Sequence, residues 1–236
     1  MTSLRIRFTS AFGTLSAMLL GVTPHVVAAE FRFAEGVDGY AGCVDTYITE
    51  APGTEGYAYG DTEGLIMKIQ SKEKPDDTVA QVLVRFDDII GRGAGRIPPG
   101  SQIDSAVLRL TRRPGNIGGW SARNGTAEML QPFTDESTWE SFGGDGIQPG
   151  TDEARPFEAA DLKISSTDRV AEFDVTESVR AWVAHERENH GWHVGTGPNT
   201  RTGFNYLMFA SSETAIPEER PTLIVETSGK PIDEPQ

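Results

Sequence analysis

The sequence has little cysteine, little positive charge and, after residue 29, no long apolar run. Cys43 is the only cysteine among 236 residues, so no intramolecular disulfide can form, and we expect this thiol to be buried. Lys and Arg number 21 against 35 Asp and Glu, which gives a formal charge of −14. A chain this negative repels phosphate backbones and anionic lipid, so nucleic acids and membrane surfaces are excluded as partners. The lack of a later apolar run excludes membrane insertion.

Motifs of catalysis are missing as well. The glycine-rich bend Gly143-Gly-Asp-Gly146 lacks the Lys-Ser/Thr pair of a phosphate-binding loop, and there is neither a Gly-x-Ser-x-Gly nor a His-Glu-x-x-His sequence. We therefore predict that the protein is not an enzyme. Catalytic carboxylates need to be close in space and not in sequence, so a polysaccharide lyase or hydrolase is a less favoured alternative.

The first 29 residues have the pattern of a secretory signal peptide. Arg5 and Arg7 precede a mostly apolar stretch, 8–22, and Val27-Ala28-Ala29 fits a cleavage site before Glu30. The apolar stretch is short and contains Thr and Ser, which favours cleavage over a membrane anchor. We expect an exported protein, secreted to the exterior or the periplasm, with one domain over 30–228 and a disordered tail over 229–236.

Period-two alternation of apolar and polar residues predicts strands. In 82–87 and 103–110 this alternation indicates strands with one buried face, and the Gly- and Pro-rich segment 88–100 between them is expected to cross from one sheet to another. Six further strands are predicted over residues 44–48, 65–69, 127–130, 170–175, 206–210 and 222–226. The fold class is therefore all-β, an antiparallel β-sandwich of the jelly-roll kind.

One helix is expected over 176–185. Asp174 and Glu177 have the spacing of a capping box, and Val179, Trp182 and Val183 repeat at helical intervals. We expect Trp182 to pack in the core.

Seven segments that follow one another in order carry a family resemblance. They are Asp45-Thr-Tyr-Ile48, Leu83-Val-Arg-Phe-Asp87, Ile97-Pro-Pro-Gly100, Ile103-Asp-Ser-Ala-Val-Leu-Arg-Leu110, Asp174-Val-Thr-Glu-Ser-Val-Arg-Ala-Trp182, Ser211-Ser-Glu213 and Arg220-Pro-Thr-Leu223. Over roughly residues 38–227 the chain resembles the DNRLRE domain family of exported jelly-roll modules. The family's name-giving hexapeptide is absent. The resemblance implies a non-catalytic module, and some members of the family bind carbohydrate.

The loop 112–125 is the first candidate for a carbohydrate site. It combines Arg112, Asn116, Trp120 and Arg123 in an otherwise acidic chain, so a guanidinium could pair with an acidic sugar while Trp120 stacks on its ring. Tyr57 and Tyr59, in the glycine-rich loop 51–61, form the second candidate.

Calcium is the one cofactor that the sequence suggests. Asp38, Asp45 and Asp61 lie in or beside glycine-rich turns, where carboxylates serve as ligands for Ca²⁺, although such aspartates more often cap their own backbone. His and carboxylate residues over 185–193, namely His185, Glu186, Glu188, His190 and His193, are an alternative zinc or copper set whose spacing matches no motif.

The sequence thus predicts an exported, non-catalytic carbohydrate-binding or surface-adhesion module whose partner is a polysaccharide or cell-surface glycan. A structural protein of the envelope or extracellular matrix, with a surface or matrix protein as its partner, is the alternative. The glycan, the oligomeric state and the fate of Cys43 are left open by the sequence.

Overall fold

The computed structural model describes residues 28–69, 78–113, 124–162, 169–196 and 205–228, and its strands form two antiparallel sheets. The strands are β1 Ala29–Phe33, β2 Cys43–Thr49, β3 Gly64–Ile69, β4 Ala80–Phe86, β5 Gln102–Thr111, β6 Asn124–Glu128, β7 Glu158–Leu162, β8 Val170–Asp174, β9 Trp192–Thr196, β10 Asn205–Ala210 and β11 Thr222–Ser228. One α-helix, α1, spans Thr176–Val183, and two 3-10 helices span Trp139–Phe142 and Pro217–Glu219. Most of the predicted signal peptide and the whole predicted tail lie outside the described residues.

The two sheets have different sizes. The smaller has the order β1-β11-β5-β8, and the larger has the order β10-β3-β4-β9-β6-β7, with β2 paired to β4. Because β4 and β5 belong to different sheets, the segment between them crosses from one sheet to the other, as predicted. The predicted antiparallel β-sandwich with one short helix is confirmed.

The main core lies between the two sheets. Val82, Val84 and Phe86 from β4 belong to the same buried cluster as Leu108 and Leu110 from β5. Their alternation along each strand is the pattern that predicted these strands. Burying a side chain of this size contributes about 1.5–3 kcal/mol, so this cluster is the main source of stability.

The larger sheet is covered on its outer face too, which the sequence did not predict. Leu83, between the core-facing Val82 and Val84, is fully buried in a second apolar cluster. The segment 130–157 supplies most of that cluster and lies over the sheet, with Phe133 and Trp139 among its buried side chains. The prediction that β4 buries one face is therefore wrong, because an excursion of the chain covers the other.

The helix α1 is shorter than the sequence predicted. It ends at Val183, and His185 has a φ of 58°, a left-handed conformation in which the helix cannot continue. The predicted capping box is absent, because Val175 is the N-cap residue, although Asp174 Oδ1 still accepts a bond from the Thr176 N–H at 2.9 Å. The predicted apolar stripe, Trp182 included, packs into the main core.

A buried carboxylate attaches α1 to the larger sheet. Glu128, at the end of β6, accepts hydrogen bonds from Trp182 Nε1 at 2.8 Å and from Ser178 Oγ at 3.2 Å. Arg187 approaches the same carboxylate at 2.9 Å and supplies the compensating charge. A buried charge is tolerated when it is paired and hydrogen-bonded in this way.

Candidate ligand-binding cleft

Most of the predicted carbohydrate loop, 114–123, lies outside the described residues. Asn116, Trp120 and Arg123 lie outside the described residues. Arg112, at the start of the loop, is half-buried; its N–H donates to the carbonyl of Arg169 at 2.7 Å and it forms an isolated bridge with Phe209. Arg112 is thus fixed by its backbone between the start of β8 and β10, and its contact with a sugar stays a prediction.

The two predicted tyrosines lie in different environments. Tyr59 is half-buried and stacks on Tyr47 with ring centroids 4.3 Å apart. Tyr57 is 60% exposed. The pair therefore does not form a continuous aromatic platform, since one ring is committed to an internal stack and the other faces solvent.

The predicted metal ligands are not assembled. Asp38 and Asp61 are exposed, whereas Asp45 is buried on β2 and accepts a bond from the Ser212 N–H at 2.8 Å. Within the described ranges, no three His, Cys, Asp or Glu side chains come together as a metal would require, and this holds for the histidine set as well. The calcium and zinc hypotheses are therefore not supported by the geometry of these residues.

A cleft of about 390 Å³ lies on the outer face of the larger sheet. Its floor includes Gln81 from β4 and His193 and Gly195 from β9. Trp139 and the segment 145–149 line it, and so does Phe157, just before β7. The cleft therefore lies at the edge of the second apolar cluster.

Three contacts shape the wall formed by the covering segment. The amide of Gln81 donates to the Ile147 carbonyl at 2.9 Å and accepts from the Ile147 N–H at 2.8 Å, which fixes the segment to the sheet. Trp139 Nε1 donates to the Gly144 carbonyl at 2.8 Å. Gly146 has a φ of 70° and packs against the Trp139 ring so closely that a side chain there would overlap it.

His193 is the unusual residue of this floor. It is 2% exposed, and neither of its ring nitrogens has a hydrogen-bond partner within the described part of the chain. Burial lowers the pKa of this imidazole to about 3, so it is neutral at physiological pH. Its ring lies 5.2 Å from the Phe157 ring, which makes an aromatic pair at one side of the cleft.

The charges around the cleft are mixed and slightly acidic. Glu50 and Asp145 are carboxylates of the lining, and Lys68 is the cation among the lining residues. Glu50 Oε1 accepts a bond from the Val79 N–H at 2.9 Å, and Lys68 Nζ donates to Thr78 Oγ1 at 3.1 Å. An acidic ligand therefore gains little from this rim.

Two other concavities have similar sizes but a weaker combination of features. One of about 400 Å³ lies beside the end of α1 and includes His185 and Glu188. Another of about 360 Å³ is formed by glycine-rich turns around Asp38 and Asp88. Neither contains a buried polar side chain without a partner among the described residues, so the cleft over β4 and β9 is the better candidate.

The residue pattern around His193, in contrast to the composition, indicates that this side chain lies on the outer face of a strand. In β9, Trp192 and Val194 belong to the main core, whereas His193 and Gly195 alternate with them and point to the outer face. Strand alternation places His193 on the outer face of the sheet, and among the described residues it forms no metal-binding group of three with the other members of the predicted zinc or copper set. Trp192 is buried, 1% exposed, and packs against Trp182.

No family model and no curated protein sequence matches this chain. Among the residues that the structure describes, none of the helices has the length and apolarity needed to cross a membrane.

Proposed function

We propose that this protein is an exported, non-catalytic module that binds a carbohydrate chain, and that the cleft over β4 and β9 holds the sugar. The observation that carries the proposal is the cleft itself, in which the Phe157 and His193 rings adjoin polar side chains such as Gln81. Sugars present apolar ring faces together with hydroxyl groups, so they bind where an aromatic ring and hydrogen-bonding groups converge. The resemblance to exported jelly-roll modules supports the same function.

The dimensions of the cleft agree with a small-ligand site. Ligand pockets typically measure about 300–1,000 Å³, and the cleft, at about 390 Å³, is at the lower end of this range. A space of this size suits one or two sugar units of a longer chain, with the remainder in solvent.

A glycan array probed with the purified protein, followed by calorimetry, tests the proposal. We expect binding to at least one polysaccharide, and we expect Phe157→Ala to weaken it by about twofold to tenfold because a stacking ring contributes roughly 0.5–1.5 kcal/mol. Two matched controls address the sites predicted from the sequence: the double variant Trp120→Ala with Arg123→Ala, and Tyr57→Ala. If the control substitutions weaken binding and Phe157→Ala does not, the sugar binds elsewhere.

The array also separates the other two classes of function. An array without any bound glycan favours the structural envelope or matrix protein and contradicts the proposal. Release of soluble products from a bound polysaccharide identifies a lyase or hydrolase and contradicts the non-catalytic part of the proposal.

A further inference from the structure

We infer that His193 is the hydrogen-bonding anchor of the cleft, and that the cleft accordingly selects an uncharged, hydroxyl-bearing sugar unit over an acidic one. This inference rests on the proposed function and names the ligand class that this site takes. It departs from the expectation of an acidic sugar that the arginines of the loop 112–125 suggested.

The first argument is the environment of the imidazole. His193 lies in the middle of the larger sheet, where β9 pairs with β4 on one side and β6 on the other. Its register partners are Leu83 and Ala127, both fully buried members of the second apolar cluster. Neither of these side chains offers a hydrogen bond, and His193 is one of the residues that line the cleft.

The second argument is the unfavourable energetics of this residue for the fold alone. A buried polar group without a partner costs about 1–3 kcal/mol, and an apolar residue at this position would extend the second cluster instead. Native structures pair nearly all buried polar atoms, and the exceptions concentrate where function requires them. Both nitrogens of His193 are such exceptions within the described residues.

The third argument is that the backbone is adapted to the position of the ring. A Cβ atom on Gly195 would lie 2.6 Å from His193 Nε2 and 3.1 Å from the Phe157 ring. Glycine at 195 therefore leaves the room in which the imidazole and Phe157 can lie side by side. Gly125 of β6 pairs directly with Gly195, so this part of the floor lacks side chains on two neighbouring strands.

The fourth argument concerns the chemistry that fits a neutral imidazole. Its pKa is lowered to about 3 by burial, and the neutral ring offers one N–H donor and one acceptor nitrogen. A hydroxyl group both donates and accepts, so it can use either nitrogen. A carboxylate only accepts, and it would bring a charge beside an apolar cluster and the carboxylates of Glu50 and Asp145.

The experiment compares neutral and acidic oligosaccharides of equal length on four forms of the protein. The probes are gluco-, manno-, galacto- and xylo-oligosaccharides and the corresponding oligouronates, and the readouts are calorimetric affinity and Tm. The forms are the wild type, His193→Leu, His193→Gln and the Trp120→Ala, Arg123→Ala double variant. Leu removes both nitrogens, and Gln keeps a donor and an acceptor.

We expect the wild type to bind a neutral oligosaccharide more tightly than its uronate. His193→Leu should weaken this binding about tenfold, the loss that follows from one ligand hydrogen bond, with a Tm equal to or above that of the wild type. His193→Gln should retain more affinity than His193→Leu, and the double variant should bind like the wild type. Gly195→Ala should also weaken binding, because its Cβ displaces the imidazole.

Two results overturn the inference and leave carbohydrate binding intact. One is a preference for oligouronates that the Trp120→Ala, Arg123→Ala variant abolishes, and the other is unchanged affinity in a folded His193→Leu variant. If no oligosaccharide binds to the wild type, the proposed function itself fails and this inference fails with it.

Discussion

His193 and Asp45 are buried titratable side chains whose pKa values move in opposite directions. Burial lowers the pKa of His193 to about 3 and raises that of Asp45 to about 6, although the Ser212 backbone N–H bonded to Asp45 acts against the second shift. Both changes follow from one cause, because a low-dielectric environment disfavours the charged form of either group. Their effects on stability therefore oppose each other over the same pH range.

The signs of the two effects give a prediction for unfolding experiments. His193 binds its proton more weakly in the folded state, so its contribution is present above about pH 6.5 and is lost on acidification, on the order of 3 kcal/mol between pH 7 and pH 4. Asp45 binds its proton more tightly in the folded state, so its contribution is present below about pH 4 and is lost as the pH rises through about 6. Between pH 7 and pH 4, acidification therefore raises the free energy of unfolding by on the order of 2 kcal/mol through Asp45.

Denaturant unfolding of two variants at several pH values checks this opposition. Relative to the wild type, His193→Leu should gain stability as the pH falls from 7 to 4, because the unfavourable proton uptake of the imidazole is gone. Asp45→Asn should lose stability over the same range. If the stability of all three proteins changed with pH in the same way, neither group would have different pKa values in the folded and unfolded states.

Among the elements, the strands that the sequence predicted are those with alternating β-branched or apolar residues. β2, β4, β5 and β11 meet this description, and each of their bounds lies within two residues of the prediction. The missed strands β1, β7 and β9 lack it: β1 begins in the predicted cleavage site, β7 reads Glu-Ala-Ala-Asp-Leu, and β9 contains His and Gly. Pairing with neighbouring strands, more than residue preference, makes these segments strands. β9, for example, lies between β4 and β6 and pairs with both.

The cleft could not be predicted for a related reason. Its floor and its wall come from β4, β9 and the segment 139–157, which meet only after the covering segment folds onto the sheet. The consecutive apolar residues Val82, Leu83 and Val84 did contain the sign of a strand covered on both faces. The absence of a partner for His193 is a property of three-dimensional packing and leaves no trace in residue order.

The attachment of α1 through Glu128 gives a prediction at the scale of the element. Glu128→Ala should destabilise the protein by roughly 3–5 kcal/mol, because it leaves Trp182 Nε1 and the Arg187 charge without their buried acceptor. Glu177 is a matched control: it faces Arg155 and Arg187 at 3.7 Å and 3.6 Å, but its side chain is 63% exposed. Glu177→Ala should cost at most about 1 kcal/mol.

Chemical denaturation of both variants, with hydrogen exchange over 176–183, distinguishes the two roles. Loss of protection confined to α1 in Glu128→Ala would show that the carboxylate serves the helix alone. Equal and small losses in both variants would contradict the assignment of Glu128 as the anchor.

For the whole molecule, the strongest constraint is the excess of acidic residues. With 35 Asp and Glu against 21 Lys and Arg, the folded chain repels itself, and salt weakens such repulsion over a Debye length of about 10 Å at 0.1 M. Stability should therefore rise with ionic strength for reasons that involve no specific site. A specific calcium site would add to this effect, because a ligand that binds only the folded state raises the apparent stability with its concentration.

Thermal unfolding in NaCl, MgCl₂ and CaCl₂ at matched ionic strength separates screening from site binding. Because Asp38 and Asp61 are exposed whereas Asp45 is buried, we expect CaCl₂ to raise the Tm no further than MgCl₂ does. A calcium-specific increase that Asp38→Asn or Asp61→Asn abolishes would restore the site predicted from the sequence. Because Asp45 is bound to the Ser212 N–H and buried, it could join that site only if the strand end around it rearranged. A calcium effect on Tm that involves Asp45 would therefore be accompanied by a change in the hydrogen exchange of Ser212, whereas screening, or a site built on Asp38 or Asp61 without Asp45, leaves that amide protected.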